Sequence, residues 1–170
     1  MNRPLISFLG MFACVLCVAV SAPAPAQTGP ALLAAQDMAA QSRGDVDAAL
    51  ALYSDDASVQ GGGLCWTPCV GKAAIRQELE RRVEATNHAA IVGEYVSGNV
   101  AAVKTEVRVG PAGKSGPGGS VQWSPGVDRL VVWNLYEARD GKIAFVTLVG
   151  ERTDPQTARF IEWLGSFKVK

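Results

Sequence analysis

The sequence predicts an α+β domain in which helices come first, an antiparallel meander follows and one helix closes the chain. Three observations predict it. Residues 44–59 read as a helix stop, a short helix and a strand in succession. From residue 89 onward, β-branched and aromatic runs alternate with turn signals. Near the end, Asp154-Pro155 puts a cap and a first-turn proline ahead of a segment with one apolar face. Helices followed by strands, without strict alternation, mark the α+β class.

The elements follow in order. Leu32 to Ser42 is a first helix, with Leu33, Asp37 and Ala40 on one face because residues three and four apart are helical neighbours. An acid on that face is unexpected. Gly44 can take the left-handed conformation that ends a helix, and Asp45 can cap the next one. Val46, Ala49, Leu50 and Tyr53 give the second helix its apolar face, and Ser54-Asp55-Asp56 release the chain into a strand at Ala57 to Gln60. Gly61-Gly62-Gly63 lead into Leu64-Cys65-Trp66-Thr67-Pro68-Cys69. Lys72 to Ala85 is a third helix, with Ile75, Leu79 and Val83 inside and Glu78, Glu80, Arg81, Arg82 and Glu84 as its solvated side. Ala89–Ser97 and Val100–Val109 flank a Gly98-Asn99 hairpin signal. Residues 110–119 are glycine-rich and read as a mobile hairpin loop. Val121 to Arg139 is a long strand interrupted near Pro125-Gly126, and Asp140-Gly141 turns it into Ile143 to Glu151. Phe160, Ile161 and Leu164 give the closing helix its apolar face.

Residues 1–26 stand apart. Arg3, an apolar run from Leu5 to Val20 and the small residues Ala24-Pro25-Ala26 make a secretory signal peptide cleaved before Gln27. The apolar run is short for a span of roughly 20 residues. From a chain of 170 residues, cleavage leaves 144, one domain of ordinary size. Residues 27–31 are expected to be a disordered lead and 32–165 the folded domain. The expected location is therefore exported, periplasmic or secreted, with no membrane attachment after cleavage. Lys and Arg number 16, as do Asp and Glu. Near-neutral charge supplies no field to hold nucleic acid.

Cleavage leaves Cys65 and Cys69 as the only cysteines. In an oxidising compartment an even pair suggests a disulfide. Three residues separate them, whereas redox motifs usually have two, and the lone His88 cannot complete a zinc set of about four ligands. A structural disulfide is the leading reading and a thiol switch the alternative. No metal site, cofactor motif, phosphate loop or nucleophile elbow is read.

Gly44-Asp45, Leu50-Ala51-Leu52-Tyr53, Asp55-Asp56-Ala57, Val70-Gly71-Lys72-Ala73-Ala74-Ile75 and Asp140-Gly141-Lys142-Ile143 together resemble the SnoaL-like domains of the nuclear transport factor two-like superfamily. The resemblance runs from about Leu32 to about Phe160. It implies a cone-shaped, curved antiparallel sheet wrapped around the N-terminal helices, with a pocket on the concave side. The family holds isomerases, cyclases, epoxide hydrolases, dehydratases and non-enzymatic members, so fold alone does not name a function.

Strand alternation sorts the side chains. On the strand 100–109 the apolar set Val103, Thr105 and Val107 faces inward; for the last two strands the resemblance, laid on Asp140-Gly141-Lys142-Ile143, implies an inward set of Leu130, Val132, Asn134, Tyr136, Val146 and Leu148, with Asp128 at its edge. Tyr53 and Trp66, the latter near the rim, complete the expected pocket. Val131, Trp133, Leu135, Phe145 and Val149 fall outward and are too apolar for a face left in water, which predicts a homodimer through the convex face. The alternative is that the closing helix folds back over that patch.

Asp37 is the candidate catalytic residue. Its distance from Gly44 matches the oxyanion-hole tyrosine of the ketosteroid isomerases of this fold, and a carboxyl buried in an apolar cone has a raised pKa. The competing reading is an exposed or structurally paired acid. The isomerase base would fall at about Gly61 and the second oxyanion-hole acid at about Val132. The epoxide hydrolase residues would fall at about Val107, Val109 and Leu148. Neither set is present. Two functions follow: an exported domain that binds a small, largely apolar molecule in its cone, or an enzyme of isomerase, cyclase or dehydratase type that uses Asp37 for acid–base chemistry.

Overall fold

The computed structural model describes residues 29–61, 65–84, 88–108 and 126–166. Helices α1 (Pro30–Ser42) and α2 (Val46–Ala51) come first. Strands β1 (Tyr53–Gln60) and β2 (Cys69–Val70) lead to helix α3 (Gly71–Glu84). Strands β3 (His88–Ser97), β4 (Val100–Arg108), β5 (Arg129–Arg139) and β6 (Lys142–Gly150) follow, and helix α4 (Pro155–Ser166) comes last. The predicted α+β class holds. The glycine-rich segment 110–119 and the leader 1–26 lie outside the described residues.

Local chemistry explains most boundaries. Asp45 caps α2 by accepting the Ala48 N–H at 2.9 Å. Asp154 caps α4 by accepting both the backbone N–H and the hydroxyl of Thr157 at 2.9 and 2.8 Å. Asp140 and Gly141 both have positive φ, the conformation that matches a two-residue hairpin to the twist of its strands.

The six strands form one curved, open sheet in the order β2-β1-β6-β5-β4-β3. All neighbours are antiparallel except β1 and β6, which run parallel. That pair departs from the purely antiparallel expectation. It arises because β1 arrives from the helices and docks beside the last strand.

Several boundaries differ from the sequence reading. Helix α1 begins at Pro30, inside the expected disordered lead, because proline suits the first helical turn. Tyr53 is the first residue of β1 rather than part of the α2 face, and β1 is longer than expected. Glu78, expected on the wet side of α3, is 1% exposed. Asp128 is exposed before β5 instead of lining the concave face; its N–H donates to Gln156 Oε1 at 2.9 Å.

Register turns the concave face into rows. Ala101, Tyr136, Val146 and Val59 stand side by side, all 2% exposed or less. The next row is Val103, Asn134 and Leu148, then Thr105, Val132 and Gly150, then Val107 and Leu130. Val107, Val132 and Leu148 are half-buried. Burial is thus complete at the Tyr136 row and less even toward the Val107 row, where Thr105 and Leu130 are buried and Val107 and Val132 half-buried. Helix α1 packs over this face against β3, β4, β5 and β6. A Cβ on Gly150 would lie 2.9 Å from Ile161 and 3.2 Å from Thr157, so α4 crosses the same face at the Val132 row.

The convex face holds the outward set unevenly. Val131 is 7% exposed, Trp133, Leu135 and Phe145 are half-buried, and Val149 is 51% exposed. Tyr95 joins them at 72% exposed, its ring 6.1 Å from that of Trp133. No helix among the described residues is long and apolar enough to cross a membrane.

Candidate functional site

Asp37 sits at the sealed end of the concave face with no exposed surface. Three elements converge on one of its oxygens. Gln41, one turn further along α1, donates to Oδ2 at 2.8 Å. Tyr53 from the start of β1 donates at 3.1 Å and Tyr136 from β5 at 3.0 Å. The other oxygen, Oδ1, is buried and has no hydrogen-bond partner.

Behind this cluster lies a charged trio from α3. Arg82 Nε binds Glu78 Oε1 at 2.7 Å, and Arg81 reaches both oxygens of Glu78 at 2.9 and 2.8 Å. Arg82 Nη2 is buried without a partner. The guanidinium lies near enough for its charge to act on Asp37, Tyr53 and Tyr136.

Burial pushes the Asp37 carboxyl above the usual carboxylate range, against the pull of its three donors and of Arg82. Burial, and then the Asp37 charge, push both tyrosine hydroxyls well above their ordinary value. The tyrosines therefore remain protonated donors. Such a carboxyl has the environment an acid–base group needs near neutral pH.

The remaining expected residues divide into two groups. Val103, Thr105, Leu130, Asn134, Tyr136 and Val146 are buried, and Val107, Val132 and Leu148 are half-buried, all in the concave rows. Asn134 does not reach Asp37. Its Nδ2 donates to Thr105 Oγ1 at 2.9 Å and to the Val103 carbonyl at 3.4 Å, and Thr105 donates to the Val132 carbonyl at 3.2 Å. The amide oxygen of Asn134 is used in none of these bonds. Trp66 is 64% exposed and belongs to the surface rather than to the buried wall. Cys65 and Cys69 form a disulfide. The Cys65 carbonyl accepts the Gly61 N–H at 2.9 Å, which ties that loop to the end of β1.

Gly61, where the family resemblance would put the isomerase base, has φ 85°. A Cβ there would fall 2.4 Å from the Leu148 carbonyl oxygen. Backbone geometry as well as sequence therefore excludes a side chain at that position.

Sequence reasoning missed Gln41, Glu78 and Arg82. Gln41 carried a usable signal, since it lies four residues after Asp37 on the same helical face. Glu78 and Arg82 carried none, because an acid and a base four apart on a helix usually mark a solvated face. A separate polar cleft of about 410 Å³ is lined by Arg108, Asp128, Arg129 and Gln156. Its Arg129 is already held by Glu106 at 3.2 Å and Asp154 at 2.6 Å. Among the described residues no cluster of His, Cys, Asp and Glu could hold a metal ion.

Solved structures share the fold. A nuclear transport factor 2-like protein of unknown function from Cytophaga hutchinsonii aligns with TM-score 0.55 at 11% identity, over 76% of this chain and 96% of that one. A proposed polyketide cyclase from Sinorhizobium meliloti aligns with TM-score 0.54 at 22% identity, over 69% and 93%. A proposed ketosteroid isomerase from Kribbella flavida aligns with TM-score 0.55 at 17% identity, over 71% and 76%. At these identities the likeness shows the fold alone. No curated relative matches the sequence. The family model of the SnoaL-like domain matches residues 34–146, from α1 to β6. The chain therefore belongs to the SnoaL-like domain family.

Proposed function

We propose that this protein is an exported SnoaL-like domain that binds a small, largely apolar molecule in its cone. One observation carries the reading: the concave rows are mostly apolar, with Val107, Val132 and Leu148 only half-buried, while Gly61 has no room for the side chain a base would need. Concave, mostly apolar sites with a few polar groups are the usual form of small-molecule pockets. The ligand lies along Val107, Val132 and Leu148, with Thr105 and Asn134 as nearby polar groups. Native mass measurement of protein taken from the periplasm, then of protein incubated with a broad apolar panel, tests this. A retained or added ligand at one per chain is expected, and lost in Leu148→Trp. No binding across the panel would overturn the reading.

A second reading is an isomerase, cyclase or dehydratase that uses Asp37 for proton transfer. The specific observation in its favour is the buried Asp37 carboxyl bonded to Tyr53 and Tyr136. Under it, Asp37→Asn lowers turnover of a candidate substrate by roughly 100-fold or more while the protein stays folded. Equal turnover would remove Asp37 from the chemistry.

Export through residues 1–26 and a homodimer through the convex face belong to the same proposal. Val149 and Tyr95 give that face exposed apolar surface beside Trp133, Leu135 and Phe145. Mature protein beginning at Gln27, and a dimer in sedimentation that Val149→Lys converts to monomer, are the expected results. A monomeric wild type would overturn the dimer.

A further inference from the structure

Asn134 stands on the concave face between Val103 and Leu148 and is 6% exposed. Its amide can sit only one way round. Thr105 gives its hydroxyl hydrogen to the Val132 carbonyl at 3.2 Å, so Thr105 Oγ1 has only lone pairs left to offer. The Asn134 atom that meets Oγ1 at 2.9 Å is therefore the amide nitrogen. The Val103 carbonyl, 3.4 Å from the same nitrogen, can likewise only accept. Both donor hydrogens of Asn134 are thus used, and its oxygen is left over.

That oxygen has no hydrogen-bond partner among the described residues. Nor is it cut off from solvent. The described side-chain atoms that are both unpaired and sealed are Asp37 Oδ1 and Arg82 Nη2. Asn134 Oδ1 therefore borders accessible space, although nearly all of its residue is buried. Its surroundings on the concave face are apolar. Leu148 pairs with it in register, Val132 precedes it on the same face of β5, and both are half-buried. An acceptor set in an apolar wall, with its donors already spent, responds to the hydrogen-bonding sense of whatever lies against it.

We infer that Asn134 Oδ1 is the polar contact of the concave site, and that it selects ligands carrying a neutral O–H or N–H donor on an apolar body. This rests on the binding function proposed above and specifies its ligand class. A ketone, an ether or a carboxylate would bring lone pairs against lone pairs. An ammonium could donate, but Val103, Thr105, Val132 and Leu148 offer no charge to offset the loss of its water. A hydrocarbon would strip the oxygen of water and return no partner. Thr105 is the positioning residue, because its hydroxyl fixes which end of the amide faces the site. Water donates to the same oxygen when no ligand is bound.

Calorimetric titration of the full mature protein with indole, indene and benzofuran tests this. The three bicycles share a shape and place an N–H, a methylene and an ether oxygen at the same ring position. Indole is expected to bind about 10-fold tighter than indene, and benzofuran no better than indene. Equal affinity for all three would overturn the inference and leave the apolar pocket standing. No binding by any of them would overturn the pocket reading, and the inference with it. Asn134→Leu should bring indole down to the affinity of indene. Thr105→Val frees the amide to turn over, so benzofuran should gain on indole; three ligands weakened alike would overturn the positioning role. Should Asn134→Leu fail to fold, a crystal structure of the wild type with indole decides. The indole nitrogen within hydrogen-bond distance of Asn134 Oδ1 supports the inference, and indole seated with its nitrogen elsewhere overturns it.

Discussion

The two faces of the sheet each hold a carboxylate served by several donors, and they treat it in opposite ways. On the concave side Asp37 takes three donors on one oxygen, yet burial keeps its pKa raised. On the convex side Glu151 takes the Trp133 indole at 3.0 Å, the Thr153 hydroxyl at 2.8 Å and Lys104 at 3.3 Å. These bonds, the indole first, pull its pKa down to about 2. The donor sets are similar in number. Water decides the difference, because Glu151 remains solvated while Asp37 lies in a sealed interior where charge is disfavoured.

Removing the carboxyl of Asp37 gives the largest expected effect. Asp37→Leu leaves Gln41, Tyr53 and Tyr136 without an acceptor and should destabilise the domain by about 3–5 kcal/mol in urea unfolding. A loss under about 1 kcal/mol would mean that the cluster is loosely held.

Next comes Gly61→Ala. Its φ of 85° and the 2.4 Å approach to the Leu148 carbonyl combine strain with a backbone clash. The expected loss is roughly 3 kcal/mol. A stable variant would show that β1 and β6 can part, and would reopen that position to a base. Gly150→Ala is milder, since the nearest obstacle is the flexible end of Ile161. About 1–2 kcal/mol is expected, read as a lowered melting temperature.

The pH dependence sharpens the contrast most directly. Asp37 has a raised folded pKa, so it holds its proton more tightly in the folded state than in the unfolded state. Its contribution makes stability fall as pH rises from about 3.8, its unfolded value. Glu151 has a lowered folded pKa. Its contribution is present above about 4.5 and is lost as pH falls through about 2. Asp37→Asn should remove the first trend, and Glu151→Gln should flatten the second with only a small change at neutral pH. Melting temperatures from pH 2 to 8 check both, and matching slopes in the two variants would sink the comparison.

Much of this arrangement was legible in the sequence. Asp37 stood out because an acid interrupted an apolar helical face, and burial is what that position enforces. Tyr136 and Asn134 were placed inward by the family resemblance at the Asp140-Gly141 turn, which fixed the face, together with strand alternation, which carried it along the strand. The turn itself was legible because few residue pairs accept two positive φ values. Arg82 and Glu78 were hidden, because their helical spacing is the usual pattern of a wet surface. Only tertiary packing of α3 against β1, α2 and α1 encloses them. Tyr53 was misplaced because its spacing also fits a helix, and periodicity cannot tell the last turn of a short helix from the start of a strand.

The parallel pairing of β1 with β6 has a bearing on how the domain comes together. Tyr53 pairs with Ile143, so the earliest strand waits for the latest one. β3, β4 and β5 can assemble as a local meander, but the Asp37 end stays open until β6 slides between β5 and β1. Closing so long a loop is slow, because its entropy is lost before any contact compensates. The Asp37 end would thus be the last part of the domain to be sealed as the chain folds.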